Sequence, residues 1–333
     1  MDKSGIVVIG RNEGERLRAC LQSILSRRVT AVYVDSGSSD GSPELARSMG
    51  FEVVELNPNR RFSAARGRNE GFDRLVELHP HLAYVQFIDG DCELIDSWFE
   101  SAMVELDANK NVAVVCGRIL ERHPEDSVYN RLRRLEWTIP VGEIDACSGN
   151  LMVRADAFRA VGGFRVEFIA AEDEDLCIRL SQLKWRLRSL DADMAYHDAA
   201  VMDLASWARR AVRSGHAFAQ GAALHGSARD NFYIRNCLRA WLWGAILPLV
   251  ALGLAWPTSG LSLALLFAYP IQILRINRAN LRKGMGHGDS FLFAAFMILE
   301  KFPTFVGVLE FYRRRWRRQP LTIIEYKGAS KTA

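Results

Sequence analysis

The sequence predicts an α/β fold, in which a mostly parallel sheet carries helices on both faces, followed by helices that associate with a membrane. Short apolar segments rich in β-branched residues recur at residues 6–9, 31–34, 51–56, 82–88 and 112–116. Segments with apolar residues at helical spacing separate most of these strands, and this alternation is typical of a parallel sheet buried on both faces. From about residue 241 onward, long apolar runs alternate with basic clusters instead.

The predicted elements can be delimited in order along the chain. The run at residues 6–9 lacks polar alternation, which favours a buried strand, and residues 15–25 then repeat apolar side chains at helical spacing. After the second strand, Ser42 and Pro43 predict a helix start and Gly50 predicts its end. The later predicted elements are a strand at residues 150–153, a helix ending at residues 162–163, an acidic helix from residue 172 and a strand at residues 185–190.

Composition and charge argue against several classes of protein. The 333 residues carry a formal net charge of +4, much of it beside apolar runs, so we expect no nucleic-acid partner. The six cysteines are scattered without a C-x-x-C pair, which disfavours a zinc site or a disulfide framework. The N-terminus leads directly into a strand and lacks the apolar core of a signal peptide, so we expect a cytoplasmic N-terminal domain.

The apolar runs near the C-terminus predict a membrane-associated region. Residues 241–256 and 261–274 are each short for a full span of about 20 residues, yet together they predict a helical hairpin. Arginines precede and follow this pair, which indicates that both of its ends face the cytoplasm at the inner (plasma) membrane. A third apolar stretch at residues 291–311 is interrupted by Glu300 and Lys301, and it predicts either an interfacial helix or a broken span.

Two carboxylates one residue apart are the sharpest local feature. Asp89 and Asp91 follow the fourth predicted strand, and ligands of parallel sheets bind beyond the carboxyl ends of the strands. Carboxylate oxygens suit Mg²⁺ or Mn²⁺, and a cation that bridges a diphosphate needs only one or two of them from the protein. The alternative is a solvated turn, since Asp-Gly is also a turn dipeptide.

Two further polar segments lie where a nucleotide would meet this edge of the sheet. Asp35 ends the second predicted strand, and the small residues after it allow a ligand to approach the backbone closely. An aspartate at that position can accept hydrogen bonds from a nucleobase or a ribose. Arg66 and Arg68 offer guanidinium groups whose shape matches phosphate oxygens. Taken singly, each segment is more often a turn or a solvated helix face.

Together these motifs resemble glycosyltransferase family 2, the inverting enzymes of the Rossmann-like GT-A fold, in its membrane-associated bacterial type. The similarity runs from about residue 6 to residue 197. The motifs that carry it are Arg11-Asn12-Glu13, residues 34–40, Arg68-Asn69-Glu70-Gly71, Asp89-Gly90-Asp91, Ser148-Gly149-Asn150, residues 161–164 and residues 172–179. We therefore predict a GT-A catalytic domain at residues 1–230 (nucleotide-binding half 1–115, acceptor-side half 116–230), membrane-associated helices at residues 231–320 and a tail at residues 321–333.

The resemblance also implies roles for individual residues. Asp35 contacts the base of the nucleotide, and Asp89 and Asp91 bind a divalent metal, Mn²⁺ or Mg²⁺, together with the donor diphosphate. Asp173, with Glu172 beside it, supplies the catalytic base, which inversion requires because a carboxylate must take the proton of the acceptor hydroxyl. The full donor-binding set is Arg11, Glu13, Asp35, Asp40, Arg68 and Asp89.

His197 and the acids after Asp173 each have two interpretations. Some GT-A enzymes use a late histidine such as His197 as a further metal ligand, although a packed or surface histidine is the commoner alternative. Successive residues of a helix point about 100° apart, so residues 172–175 cannot all face one site. Glu174 then serves the helix dipole, and Asp175 pairs with Arg179 one turn later.

The predicted function is transfer of a sugar from a UDP, GDP or dTDP sugar to a hydroxyl acceptor, which is a glycan or a lipid-linked molecule of the cell envelope. Two alternatives stay open, a catalytically inactive scaffold that binds nucleotides with the same fold and a nucleotidyltransferase. The complete set of acids favours the enzyme over the scaffold. A nucleotidyltransferase usually opens with a glycine-rich basic loop, of which residues 10–14 are a weak imitation.

Overall fold

A computed structural model describes residues 3–27, 29–137, 139–226 and 228–319, with the backbone alone at residues 228–230. The chain folds into two compact units. The first comprises residues 3–126 and 136–200, and the second comprises residues 127–135 and 201–319. Residue 320 and the predicted tail at residues 321–333 lie outside the described residues.

The first unit is built on one sheet, which contains nine strands within the described residues. The strands are β1 (Ser4–Gly10), β2 (Thr30–Asp35), β3 (Glu52–Glu55), β4 (Tyr84–Asp89), β5 (Cys92–Leu94), β6 (Val112–Glu121), β7 (Gly142–Glu143), β8 (Leu151–Arg154) and β9 (Arg186–His197). Their order across the sheet is β3-β2-β1-β4-β8-β6-β9-β5, and β7 pairs with β9.

Some of the helices belong to the first unit with the sheet, and the others make up the second unit. The helices are α1 (Glu15–Leu25), α2 (Ser42–Ser48), α3 (Ala64–Leu78), α4 (Trp98–Ala108), α5 (Val128–Glu136), α6 (Ala155–Ala160), α7 (Glu172–Gln182), α8 (Leu204–His225), α9 (Ala228–Trp241), α10 (Leu247–Gly253), α11 (Ala268–Arg282), α12 (His287–Leu299) and α13 (Lys301–Trp316). The second unit contains α8 to α13 and most of α5, and the other helices belong to the first unit.

The strands β3, β2, β1 and β4 are parallel, as the sequence predicts. Val7 and Val8 point to opposite faces of β1 and both are fully buried, so this part of the sheet is covered on both sides. Asp35 and Asp89 are the last residues of β2 and β4, on either side of β1. Their carboxylates therefore lie at the same edge of the sheet.

The other half of the sheet is mixed, which the succession of apolar segments does not reveal. β8 is antiparallel to both β4 and β6, whereas β6 and β9 are parallel. β9 continues to His197, past the predicted end at residue 190, because its second half pairs with β5 and with the end of β6. This pairing sets His197 directly opposite Cys92.

Aromatic rings join the core of the first unit to a site residue. Phe158 of α6 packs against Phe72 of α3, Phe87 of β4 and Phe164, with ring centroids 4.7, 5.2 and 5.3 Å away. Aromatic pairs of this kind contribute about 0.5–1.5 kcal/mol beyond the area that they bury. The guanidinium of Arg68 lies 5.4 Å from the ring centroid of Phe164, so the packed core supports this arginine directly.

In the second unit α8 and α13 approach each other closely at two glycines. A side chain at Gly215 would meet the backbone of Thr304, and one at Gly307 would meet the backbone of Val212. Small residues at such contacts are typical of helices that pack within membranes. Because α8 packs in this way, the second unit already begins at residue 201. The predicted end of the catalytic residues near position 230 stays a prediction.

By length and average composition alone, two segments in the described part of the second unit are candidates to cross a membrane, Asn231–Gly253 and His287–Trp316. The first joins α9 to α10 through a π-helical turn. A turn and a 3₁₀ segment, Leu261–Phe267, follow α10 and pack back against it, which makes the helical hairpin that the sequence predicts. The second segment consists of α12 and α13, with a break at Glu300.

Candidate active site

Hydrogen bonds join the loop after β1 to the loop after β2. The backbone N–H of Asn12 donates to Ser38 Oγ (2.9 Å), and the Asn12 side chain accepts a bond from the Ser39 N–H (2.8 Å). The Gly14 N–H donates to the Asp40 carboxylate (2.9 Å). Asn12 has a left-handed backbone with φ 54°, which asparagine adopts more readily than most residues. The two loops of the predicted donor site therefore form one connected surface.

Asp35 is buried beneath these loops, and its acceptor positions are filled. Its Oδ1 accepts bonds from the hydroxyls of Tyr33 (2.9 Å) and Ser38 (2.5 Å). Its Oδ2 accepts bonds from the backbone N–H groups of Gly37 (2.9 Å) and Ser38 (2.8 Å). Burial and the charge of Asp35 raise the pKa of Tyr33, which keeps that hydroxyl protonated and donating. The predicted contact with a nucleobase would have to replace one of these four bonds.

The other residues of these loops that are predicted to bind the nucleotide sugar have partners within the fold. Asp40 is exposed, and it accepts bonds from the backbone N–H (3.1 Å) and the hydroxyl (2.6 Å) of Ser42 at the start of α2. Glu13 is buried and forms an ion pair with the first turn of α1 (2.9 Å). The Arg11 guanidinium lies over the ring of Phe62, 5.7 Å from its centroid, on an exposed residue. Arg11 is thus the member of this group that a phosphate can reach most directly.

Arg68 connects two acidic motifs that are far apart in the sequence. It is buried in α3 and donates one hydrogen bond to Asp89 Oδ1 and one to Glu172 Oε1, both at 2.7 Å. Burial disfavours the charge of Arg68, but the two carboxylates outweigh that effect and raise its pKa. The arginine therefore brings the end of β4 and the start of α7 together, with its guanidinium engaged by protein carboxylates.

The motif at residues 148–150 supports the end of β4. Asn150 Oδ1 accepts a hydrogen bond from the backbone N–H of Asp89 (2.8 Å), and Asn150 Nδ2 contacts Cys92 Sγ (3.3 Å). A Cβ at Gly149 would collide with the Arg68 guanidinium, so glycine leaves the space that the arginine occupies. The motif thus fixes the start of the Asp-x-Asp loop and makes room for the bridge from Arg68.

Asp91, Cys92 and His197 form a group whose ligand atoms all lie within 4.8 Å of one another. His197 Nε2 is 3.5 Å from Asp91 Oδ2. Burial and the charges of Asp91 and Asp89 raise the pKa of the Cys92 thiol, so the carboxylate and the imidazole are the better donors for a hard cation. These two donors fit a cation such as Mn²⁺ that takes its other ligands from a diphosphate and water. Two predicted metal ligands, Asp91 and His197, thus meet, whereas Asp89 uses Oδ1 to bind Arg68.

A buried carboxylate and an indole hold the ring of His197. Glu121, the last residue of β6, has a fully buried side chain with Oε2 3.5 Å from His197 Nδ1. The ring of Trp137 packs edge-on against the imidazole, with 4.3 Å between the centroids. Because Glu121 faces Nδ1, the Nε2 atom is directed toward Asp91. Metal-ligating histidines use this arrangement, in which a carboxylate fixes the tautomer and the orientation of the ring.

The predicted base lies in a crowded acidic setting at the start of α7. Ala171 precedes this helix in a left-handed conformation, φ 63°, which is uncommon for a residue with a Cβ. Withdrawal from water and the charges of Glu172 and Glu174 raise the pKa of Asp173 to about 8. Asp173 is partly exposed, and its Oδ1 accepts a bond from the Glu174 N–H (2.9 Å). A carboxyl group whose pKa lies near neutrality is suited to accept a proton.

The acids beside Asp173 are engaged differently. Glu172 is bound to Arg68 and anchors α7 to the end of β4. Asp175 is fully buried and pairs with Arg179 (2.6 Å), as the sequence predicts, and also with Arg165 (3.3 Å). Asp173 is therefore the partly exposed acid of the first turn whose raised pKa suits proton transfer, and its role as the base stays a prediction.

Sequence reasoning missed Glu121 and Trp137 and did not foresee how Asn150 acts. Glu121 lies beyond residue 116, where the fifth strand was predicted to end, and the pair that it forms with His197 is separated by 76 positions. No local pattern marks such a pair. The available signal was that apolar residues resume at Ile119 and Leu120, which indicates a longer strand ending at an acid.

The comparisons with known proteins agree with this geometry. The family model described as glycosyl transferase family 2 matches residues 5–162. The chain is 27% identical over 252 residues to the pre-mycofactocin glycosyltransferase of Mycobacterium tuberculosis, covering 71% of this chain and 51% of that protein. It is 27% identical over 218 residues to the succinoglycan biosynthesis protein ExoA of Rhizobium meliloti, covering 61% of this chain and 65% of that protein. The chain thus spans about half of the mycobacterial relative's length.

The fold is similar to that of a solved mannosyltransferase, PcManGT from Pyrobaculum calidifontis, whose structure is in complex with GDP-Man and Mn²⁺. The TM-score is 0.59 at 20% sequence identity, covering 92% of this chain and 87% of that chain. At this identity the likeness concerns the fold, and it accords with a sheet whose parallel half ends in Asp35 and Asp89. Residues 5–162 therefore match glycosyltransferase family 2, and the chain has the GT-A fold.

Proposed function

We propose that the protein transfers a sugar from a nucleotide-diphosphate sugar to a hydroxyl acceptor with inversion at the anomeric carbon. The observation that carries this proposal is the bridge from Arg68 to Asp89 and Glu172, with both hydrogen bonds at 2.7 Å. It links the motif assigned to the diphosphate with the residue next to the candidate base, Asp173. A displacement reaction needs this proximity because the leaving diphosphate and the attacking hydroxyl meet at one carbon.

In the proposed reaction the acceptor oxygen attacks the anomeric carbon while its proton passes to the Asp173 carboxylate. The bond between that carbon and the diphosphate oxygen breaks, and its electron pair leaves with the nucleoside diphosphate. Asp91 and His197 would hold the Mn²⁺ or Mg²⁺ ion, which supplies positive charge opposite the leaving group. Asp89 binds Arg68 through Oδ1, and its Oδ2 would face the nucleotide sugar.

The proposal extends to the acceptor and to the location of the protein. A glycan or a lipid-linked acceptor of the cell envelope is supported by the relative that acts in succinoglycan biosynthesis. Association with the inner membrane is supported by the two apolar segments of the second unit. A cytoplasmic catalytic unit is supported by the basic residues that flank the hairpin, such as Arg239 and Arg275. The donor nucleotide is UDP, GDP or dTDP.

Donor binding by the purified chain tests the proposal. UDP, GDP and dTDP sugars would be titrated with Mn²⁺, Mg²⁺ or EDTA, with donor hydrolysis as a second readout. We expect one donor to bind only with the metal, and Asp91→Ala to abolish that binding. Asp96→Ala is the matched control, because Asp96 lies just beyond β5 with a side chain that is 95% exposed.

The other outcomes separate the alternatives. Binding of a nucleotide without any donor cleavage, with every acceptor offered, would favour the inactive scaffold. Conversion of a nucleoside triphosphate and a sugar phosphate into a nucleotide sugar would favour a nucleotidyltransferase. Failure of every nucleotide sugar to bind, with or without metal, would overturn the proposed enzyme.

A further inference from the structure

The hairpin between Arg239 and Arg275 carries no charged side chain. Its outer surface is apolar, with Trp256 in the turn 94% exposed and Leu261 and Phe267 mostly exposed as well. An apolar surface of this extent marks a site of contact with another apolar phase. On the basis of the membrane association proposed above, we propose that the hairpin enters one leaflet of the bilayer and returns to the same side. The second unit is then embedded in the membrane without spanning it.

The uncharged part of each arm of the hairpin is shorter than the hydrocarbon core is thick. From Arg239 to the end of α10 at Gly253, a helical rise of 1.5 Å per residue gives about 21 Å. The return from Leu261 to Arg275 gives about 24 Å, with a 3₁₀ rise of about 2 Å per residue in its first part. A full crossing needs about 30 Å. The flanking arginines would have to enter the hydrocarbon for the turn to reach the other side, which is strongly unfavourable.

Several polar groups of the turn have partners within the chain. The backbone N–H groups of residues 258–261 all donate to carbonyl oxygens within the turn and the end of α10. The Thr258 hydroxyl donates to the carbonyl of Leu254 (2.6 Å), and the Ser262 hydroxyl donates to the carbonyl of Ala251 (2.7 Å). Polar groups need such internal partners inside hydrocarbon, where water is absent, whereas a turn among headgroups has water and lipid as partners. The turn is therefore suited to stay within the bilayer.

In the proposal the second apolar segment, His287–Trp316, does not cross the membrane either. Glu300 and Lys301 form an ion pair near its middle. The uncharged stretches on either side, residues 290–299 and 302–309, are far shorter than the length of about 20 residues that a span needs. Charged side chains at the centre of a bilayer are rare and costly. In the proposal this segment lies at the membrane surface.

Basic side chains frame the hairpin where it would leave the membrane. Arg235 and Arg239 precede the entering arm, and Arg275, Arg278 and Arg282 follow the returning arm. Positive side chains at this level bind the headgroups of anionic lipids and hold the segment in one orientation. Because they flank both arms, the partner is a single anionic leaflet.

Cysteine labelling of the full chain in right-side-out and inside-out membrane vesicles tests the proposal. Ser259→Cys places a thiol in the turn. Gly286→Cys places one in the exposed segment before α12, where an added Cβ has no neighbour within 4 Å. The unmodified chain, whose six cysteines are buried, gives the background. We expect Gly286→Cys to react with a membrane-impermeant maleimide from one face, and Ser259→Cys to react from neither face until detergent is added.

Two labelling results would overturn the proposal. Reaction of Ser259→Cys from the face opposite to Gly286→Cys would show that the hairpin spans the bilayer. Reaction from the same face would show that it rests on the surface. Quenching supplies a positive signal, because a bimane attached at Ser259→Cys before reconstitution should be quenched by lipids brominated in their acyl chains. The same label at Gly286→Cys should not be quenched, and equal quenching at both positions would contradict insertion.

Flotation with anionic vesicles separates this inference from the proposed location. If the unmodified chain does not float with the vesicles, the membrane association itself fails, and the inserted hairpin fails with it. If the chain floats and the turn is labelled from either face, only the inserted hairpin fails.

Discussion

The acids in the loops after β1 and β2 can be compared with those at the start of α7. Asp35 accepts four hydrogen bonds and Asp40 accepts three, all from donors of the chain itself. Asp173, by contrast, has the charges of Glu172 and Glu174 beside it, and its pKa rises to about 8. Neutral hydrogen-bond donors stabilise the carboxylates of the loops, whereas like charges lie beside the carboxylate of Asp173.

This difference distinguishes acids that build the site from an acid that acts in it. A carboxylate that receives several hydrogen bonds stabilises the loop that supplies them. A raised pKa means that the fold disfavours the charged form of a carboxyl group, and such groups concentrate where a substrate or a metal is bound. We therefore expect substitutions in the loops to lower stability, and substitution of Asp173 to lower turnover.

The largest expected effect follows from removing the candidate base. Asp173→Asn keeps the shape of the side chain but cannot accept the proton of the acceptor. General base catalysis contributes about 10²- to 10⁴-fold, so kcat should fall by that factor while the affinity for the donor stays close to that of the wild type. Single-turnover kinetics with a saturating donor, together with donor titration, would measure the two quantities separately.

Glu174→Gln is the matched control for Asp173→Asn, because it removes the next acid of the same helix. It should leave kcat near the wild-type value. It should also lower the pKa of Asp173, since the charge of Glu174 is one of the causes that raise it. A drop in kcat as large as that of Asp173→Asn would assign the base to Glu174 or to the helix start as a whole.

The raised pKa of Asp173 also predicts how stability depends on pH in the metal-free protein. The group binds its proton more tightly in the folded chain, with a pKa of about 8, than at its ordinary value of 3.8. Folding takes up a proton between these limits, so the free energy of unfolding falls as pH rises through them. Asp173→Asn should therefore gain stability relative to the wild type from pH 4 to pH 8 and keep that gain above. Thermal unfolding in EDTA would measure it, and a difference independent of pH would contradict it.

A smaller effect is expected at the carboxylate behind His197. Glu121→Gln removes the charge that faces Nδ1 but keeps the size of the buried side chain. Substitution of a side chain that orients a metal-ligating histidine typically lowers metal affinity by about 10- to 100-fold. Mn²⁺ titration followed by electron paramagnetic resonance would measure the change without any turnover. Glu93→Gln, on neighbouring β5, removes a partly exposed acid that pairs with Arg122 and should leave Mn²⁺ affinity unchanged.

Equal losses of Mn²⁺ affinity in both variants would indicate a general effect of negative charge rather than orientation of His197. An unchanged Mn²⁺ affinity in Glu121→Gln would show either that His197 is not a metal ligand or that groups other than Glu121 fix its tautomer. Thermal stability of both variants in EDTA would identify a loss that comes from misfolding.

The sequence predicted the features that depend on neighbours along the chain. The strands that end in Asp35 and Asp89 were located from short apolar runs, and a strand end is where a parallel sheet presents its ligands. The pairing of Asp175 with Arg179 was predictable because one helical turn separates them.

Partners that are distant in the chain were beyond the reach of local patterns. Arg68 was predicted to contact a phosphate, but two carboxylates from distant segments lie close enough to bind its guanidinium. The same holds for Glu121 and His197, which meet only because β6 and β9 are adjacent and in register at their ends. Which charges meet across a sheet depends on strand order, and the antiparallel insertion of β8 was not visible in the sequence.

The smallest expected effect tests whether Asp40 belongs to the loops or to the donor. Asp40→Ala removes the bonds from the Gly14 N–H and from Ser42. Because the residue is exposed, we expect the free energy of unfolding to fall by about 1 kcal/mol, with little change in kcat. Asp96→Ala is the control, since its surface ion pair with Arg27 should contribute less. If Asp40→Ala keeps wild-type stability but loses donor affinity tenfold, Asp40 is a donor ligand, and hydrogen bonds within a loop do not identify an acid as structural.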